Sequence, residues 1–250
     1  MAKVDAYRET LRALPAAEWD DYLLRESGLP GPRGNLELMQ AVADAGDADR
    51  FARYASLTAT IAPTGTADEF LPCCGVVGLG RLLAEGQVER TAELRRHAAD
   101  PRWRVREAVA MALQRVGDAD IERLLAIVGA WSTGTPFEQR AATAAICEPR
   151  LLRRADVARA ALVALDAITA TVPGWPDRRA DDVVALRKGL GYGWSVAIAA
   201  LPDDGRPYLE RWARTDDPDI RWIVRENLRK HRLVRIDPAW VAAVSRDLDG

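Results

Sequence analysis

Two tryptophans stand among arginines in this chain, and together they offer recognition chemistry rather than bond-making chemistry. Trp103 is followed by Arg104 and Arg106, and Trp222 sits among Arg221, Arg225 and Arg229. An exposed indole presents a large flat apolar surface, and arginine presents a planar cation with five donors, a combination enriched in binding hot spots. At about 100° per residue, Arg221, Arg225, Arg229 and Arg232 form one stripe on a continuous helix. Trp222 lies beside that stripe, nearly opposite the apolar face of Ile220, Ile223, Val224 and Leu228. Trp103 is placed similarly against Val105 and Val109, with Arg106 near it. Trp103, Arg106, Arg221, Trp222, Arg225 and Arg229 are therefore the candidate binding residues. Two placements are open to the tryptophans. They can line a binding groove, or they can pack between neighbouring helical units with arginine stacked on them.

Chemistry of other kinds finds little to work with. The histidines are His97 and His231, and the cysteines are Cys73, Cys74 and Cys147. Three thiols make neither an even disulfide framework nor a spaced metal site. No Ser/His/Asp arrangement or paired carboxylates stand out by spacing, so no catalytic residue, cofactor or metal is expected. The formal net charge of −2 gives no overall basic footprint for nucleic acid. No secretory signal or bilayer-length apolar run is evident, so a cytoplasmic chain with no membrane partner is expected.

The elements that must carry these residues are helices. Apolar positions recur at helical spacing, and no alternating β-branched run is bounded by turns. Hydrophobic residues make up 48% of the chain, enough for a core. Residues 5–14 and 16–25 read as an N-terminal helical hairpin, and Ser27 to Gly34 break it with three glycines and two prolines. Helices are then expected over 35–46, 48–60, 67–85 and 88–98, and from Pro101 to Gly117. Further helices are expected over 119–131, 137–147, 154–172, 180–200 and 206–214, and from Pro218 into the last arginine stripe. Trp240 and Val241 point to a short C-terminal cap. Pro101 and Pro218 each follow an aspartate, so each reads as a first helical residue behind an Asp cap. Two of the long helices carry glycine triplets, Gly75, Gly78 and Gly80 in one and Gly189, Gly191 and Gly193 in the other. Glycine in a helix costs about 1 kcal/mol against alanine, so each triplet needs a reason. Close helix–helix approach is one, and a notch for a ligand or partner is the other.

The stretch Asp100-Pro101-Arg102-Trp103-Arg104-Val105-Arg106-Glu107-Ala108-Val109 has an echo in Asp217-Pro218-Asp219-Ile220-Arg221-Trp222-Ile223-Val224-Arg225-Glu226. The two starts lie about 117 residues apart, close to three units of about 39 residues, the size of an α-solenoid repeat. This pattern resembles HEAT-like repeats of the phycobilisome-lyase type. The resemblance implies an all-α solenoid of stacked helical hairpins over 35–235. Residues 1–26 would form an N-terminal cap and 236–250 a C-terminal cap or tail, all within one domain of residues 1–250. It also implies structural roles for Asp100, Arg106 and Asp217, and a function in binding. The iron-ligating His-Glu pairs of deoxyhypusine hydroxylases, another HEAT-repeat family, are absent. The leading expectation is a non-enzymatic scaffold whose partner is another protein. The alternative is nucleic-acid binding, because the chain is distantly similar to HEAT-like alkylpurine DNA glycosylases, which set groove tryptophans beside an aspartate and a basic surface. A chromophore-lyase-like helper rests on repeat similarity alone. Nothing in the sequence points to an oligomeric state.

Overall fold

The computed structural model describes residues 2–249, and every regular element among them is helical. The chain divides into two compact units, Met1–Asp120 and Ile121–Gly250. Among the described residues no helix is long and apolar enough to cross a membrane.

Among the described residues the first unit holds seven α-helices: α1 (Ala2–Ala13), α2 (Trp19–Glu26), α3 (Leu36–Ala45), α4 (Ala48–Ala55), α5 (Phe70–Ala84), α6 (Arg90–His97) and α7 (Trp103–Ala119). Asn35 starts α3 by accepting the Leu38 N–H at 3.1 Å. Its amide also reaches back to the Glu26 carbonyl at 2.9 Å and the Tyr7 hydroxyl at 3.0 Å, which ties the glycine- and proline-rich break to the N-terminal hairpin. The centre of the unit is α5, apolar on every side, as a helix buried all round must be. It packs against α3, α4, α6 and α7. Its glycines are the reason it can. A Cβ on Gly75 would lie 2.4 Å from the Ala55 nitrogen, and one on Gly78 would lie 2.2 Å from the Phe51 ring.

The second unit holds eight: α8 (Ile121–Trp131), α9 (Pro136–Ile146), α10 (Ala155–Thr171), α11 (Asp181–Ala200), α12 (Pro202–Ala213), α13 (Pro218–Leu228), α14 (His231–Ile236) and α15 (Pro238–Asp249). Thr135 and Glu138 close a reciprocal capping box at the start of α9, with Pro136 at its first position. The central helix is α11. It packs against α9 and α13 as well as α10 and α12. Trp194 fills its buried side and donates its indole N–H to Thr169 at 3.0 Å.

Several helix limits differ from those expected, each for a local reason. The α7 helix runs through Gly117 and Asp118 to Ala119, because Val116 and Gly117 are buried and continued helix keeps them so. The α12 helix begins at Pro202, not residue 206. Pro202 takes the first-turn place where proline is tolerated, and Pro207 lies inside the helix. The last repeat helix stops at Leu228. Lys230 turns to extended backbone, with φ −76° and ψ 125°, so His231 and Arg232 belong to the separate α14. The C-terminal element is a full helix rather than a short cap, and the Asp237 carboxylate accepts the Trp240 N–H at its start, at 2.9 Å.

Candidate functional site

The α13 helix carries three of the six candidate binding residues, Arg221, Trp222 and Arg225, with Arg229 just past its end, and its start is built as expected. Asp217 caps it, accepting the Asp219 and Ile220 N–H groups at 3.0 and 3.1 Å, with Pro218 at the first helical position. Ile220, Ile223, Val224 and Leu228 are buried. So is Asn227, which fixes α13 to α11. Its side-chain oxygen accepts the Ser195 N–H at 2.7 Å, and its amide donates to the Leu190 carbonyl at 2.9 Å and to Ile223 within its own helix at 2.8 Å.

Trp222 lies half-buried in the furrow between α13 and α11. A Cβ on Gly191 would stand 2.9 Å from its ring, so the glycine is the floor on which the indole rests. The Arg187 guanidinium covers the ring at 5.0 Å from its centroid and also pairs with the buried Asp219. Arg178, from the segment before α11, bridges Asp217 at 2.6 Å and Asp219 at 3.3 Å. Asp217 thus holds its own helix start and a neighbouring segment together.

The arginine stripe divides into different jobs. Arg221 donates to the Leu248 carbonyl on α15, which makes it a fastener of the C-terminal helix. Arg225 is half-buried, and Arg229 is exposed with its guanidinium 2.7 Å from Glu226. Arg232 leaves the stripe because α13 has ended. It meets instead Tyr192 on α11, which is not among the candidate residues. Arg232 donates to the Tyr192 hydroxyl at 2.6 Å, and its guanidinium carbon lies 4.6 Å from the ring centroid. The Lys230 ammonium lies 5.9 Å from the same centroid. Tyr192 remains 50% exposed. The signal for it was present: Asp181, Lys188 and Tyr192 fall on one arc of α11, at the first, eighth and twelfth places, and all three are exposed.

Trp103 and Arg106 belong to the first unit. Trp103 is 45% exposed, and the Arg104 guanidinium stacks on it at 4.4 Å. Arg104 is itself anchored, donating to Glu69 at 3.0 Å and to the Gly31 carbonyl at 2.7 Å. Arg106 donates to the Asp100 and Pro101 carbonyls at 2.6 and 3.1 Å and so braces the turn before α7. Asp100 does not cap α7. The helix starts at Trp103, because Arg102 holds extended backbone at φ −81° and ψ 118°. Asp100 instead grips Arg102, accepting its backbone N–H at 2.8 Å and the Nε and Nη2 donors on one edge of its guanidinium at 2.8 and 2.7 Å. Arg102 passes the tie on to the Ala62 carbonyl at 3.1 Å.

Burial governs the thiols. It pushes the Cys147 thiol up to about 12 and raises Cys73 and Cys74 as well, so all three are protonated and shielded at neutral pH. Among the described residues no group of three His, Cys, Asp or Glu is placed to hold a metal ion. The chain matches no protein-family model, no curated protein and no solved structure.

Proposed function

We propose that the chain is a HEAT-like α-solenoid that acts as a non-enzymatic protein-binding scaffold. The order of helix neighbours in the second unit supports the solenoid, since α9, α11 and α13 adjoin in turn, as do α8, α10 and α12. The observation that carries the binding role is Trp222, a half-buried indole seated on Gly191 and clamped by Arg187, with Arg225 on the same helix and Arg229 just past its end. A large aromatic held in one orientation and edged by arginines pays little entropy on binding. Three free, buried cysteines fit a reducing compartment and support a cytoplasmic scaffold. The test is affinity capture from native lysate by the wild-type chain, Trp222→Ala and Trp103→Ala. The expected outcome is a defined set of proteins lost with Trp222→Ala, whose melting temperature falls by only a few degrees. Identical capture by all three chains, or collapse of the Trp222→Ala fold, overturns the reading.

A second reading, binding of duplex DNA in the manner of the HEAT-like alkylpurine DNA glycosylases, is favoured by one cluster. Trp222, Arg187 and Asp219 stand together, with Arg187 reaching both the ring and the carboxylate. Asp219 is buried and held by two arginines, an arrangement that also serves as structure alone. Fluorescence anisotropy with labelled duplex at two salt concentrations separates the readings. DNA binding through phosphates weakens steeply with salt, and no binding at low salt removes this reading.

A further inference from the structure

The corner of the second unit where α11, α13 and α14 meet gathers positive charge round one exposed ring. Lys188 and Tyr192 stand four residues apart on the open arc of α11. Lys230 and Arg232 close on the Tyr192 ring from the α14 side. Arg229, just past the end of α13, joins this corner through Glu226, which lies 2.7 Å from its guanidinium and 3.9 Å from Lys230. We infer that this corner binds an acidic polypeptide segment, a run of Asp and Glu side chains, with Lys230 and Arg232 taking carboxylates and Tyr192 supplying the apolar contact. This rests on the protein-binding reading and names the chemistry of the partner.

Three observations favour a peptide over nucleic acid. The corner already accommodates a carboxylate, since Glu226 lies 2.7 Å from Arg229 and 3.9 Å from Lys230. The Tyr192 ring is engaged by two cations, whereas single strands bind on successive aromatic platforms that stack base after base. The formal net charge of −2 also supplies no long-range pull on a long polyanion. A short acidic segment needs only the local field, and arginine meets carboxylates with two parallel hydrogen bonds.

The test titrates a fluorescein-labelled poly-glutamate peptide onto the full chain at low and physiological salt, with a single-stranded thymidine oligonucleotide as competitor. Binding should weaken with salt. The double charge reversal Lys230→Glu/Arg232→Glu should weaken it at least about tenfold, as truncation of complementary charge does elsewhere. A control of equal net charge, Arg154→Glu/Arg159→Glu on and beside α10, should change it by less than about twofold, since those two arginines are paired with Asp156 and Asp204 rather than set round Tyr192. Tyr192→Ala should weaken it while the chain stays folded by circular dichroism. No peptide binding, equal losses in both double variants, or displacement by the oligonucleotide at lower concentration than by unlabelled peptide overturns the inference, the last in favour of nucleic acid. If the acidic peptide fails while Trp222-dependent protein capture persists, the scaffold reading stands and only the acidic partner falls. If both fail, both fall.

Discussion

The central helices α5 and α11 each carry three glycines within six residues, and they put them to different use. On α5 the glycines admit α4 and α7 on opposing sides, and no residue of the helix is left exposed. On α11, Gly191 admits the Trp222 ring from α13, while Gly193 admits the Thr143 methyl and the Cys147 sulfur of α9. Between those contacts one arc of α11 stays open and carries Asp181, Lys188 and Tyr192. Glycine in a buried helix lets backbones approach, and the choice between core and recognition surface then depends on whether the neighbours close over the helix. They close over α5. They leave a ridge on α11 that carries Asp181, Lys188 and Tyr192.

Gly78→Val gives the largest expected effect and tests the buried side of the contrast. A Cβ there falls 2.2–2.6 Å from three atoms of the fully buried Phe51 ring, which has no open space to turn into. Overpacking of this kind costs about 3 kcal/mol or more at the upper end of its usual range. We expect the melting temperature to drop by roughly 6–12 °C. A near-normal melting curve would mean that α4 and α5 can separate freely, and the contrast with α11 would lose its basis.

Asn227→Ala comes next and probes how α13 is held on α11. The substitution leaves the Ser195 N–H and the Leu190 carbonyl without the side-chain partner they share. A buried polar group left unpaired costs about 1–3 kcal/mol, so a loss of about 3 kcal/mol is expected in denaturant unfolding. Trp222 emission should shift to longer wavelength in the folded variant as the furrow loosens. Full stability with unchanged emission would show that apolar contacts alone set the furrow.

Much of this was legible in the residues, and the misses have a common cause. The all-helical class and the long central helices follow from apolar periodicity. The capping role of Asp217 follows from its place before a proline. The same rule failed at Asp100, because Arg102 offers its guanidinium to that carboxylate and holds the backbone extended, and no propensity scale contains that competition. The arginine stripe requires one continuous helix, but α13 ends at Leu228, so Arg229 lies just past its end and Arg232, on α14, meets Tyr192 instead. Lys230 has no side chain that marks a helix stop, and the break shows only once α14 packs against α11. Tyr192 stands among glycines that serve packing, and the arc it shares with Lys188 gains meaning only when Lys230 and Arg232 arrive from another element.

The smallest effect separates the glycines of α11 from one another. A Cβ on Gly189 would meet only the Arg140 Cγ at 3.4 Å, an ordinary contact with the bendable stem of a long side chain. Gly189→Ala therefore removes backbone freedom from the unfolded chain without a clash, and a gain of about 0.5–1 kcal/mol is expected. Gly191→Ala places its methyl 2.9 Å from the Trp222 ring, which must move, so a net loss and an altered tryptophan spectrum are expected. The two positions lie two residues apart in one helix, so intrinsic helix propensity treats them alike. Opposite signs in their unfolding free energies would isolate the furrow as the cause. Equal gains would mean that Trp222 can swing out of the furrow without cost, and the fixed indole on which the binding role rests would be lost.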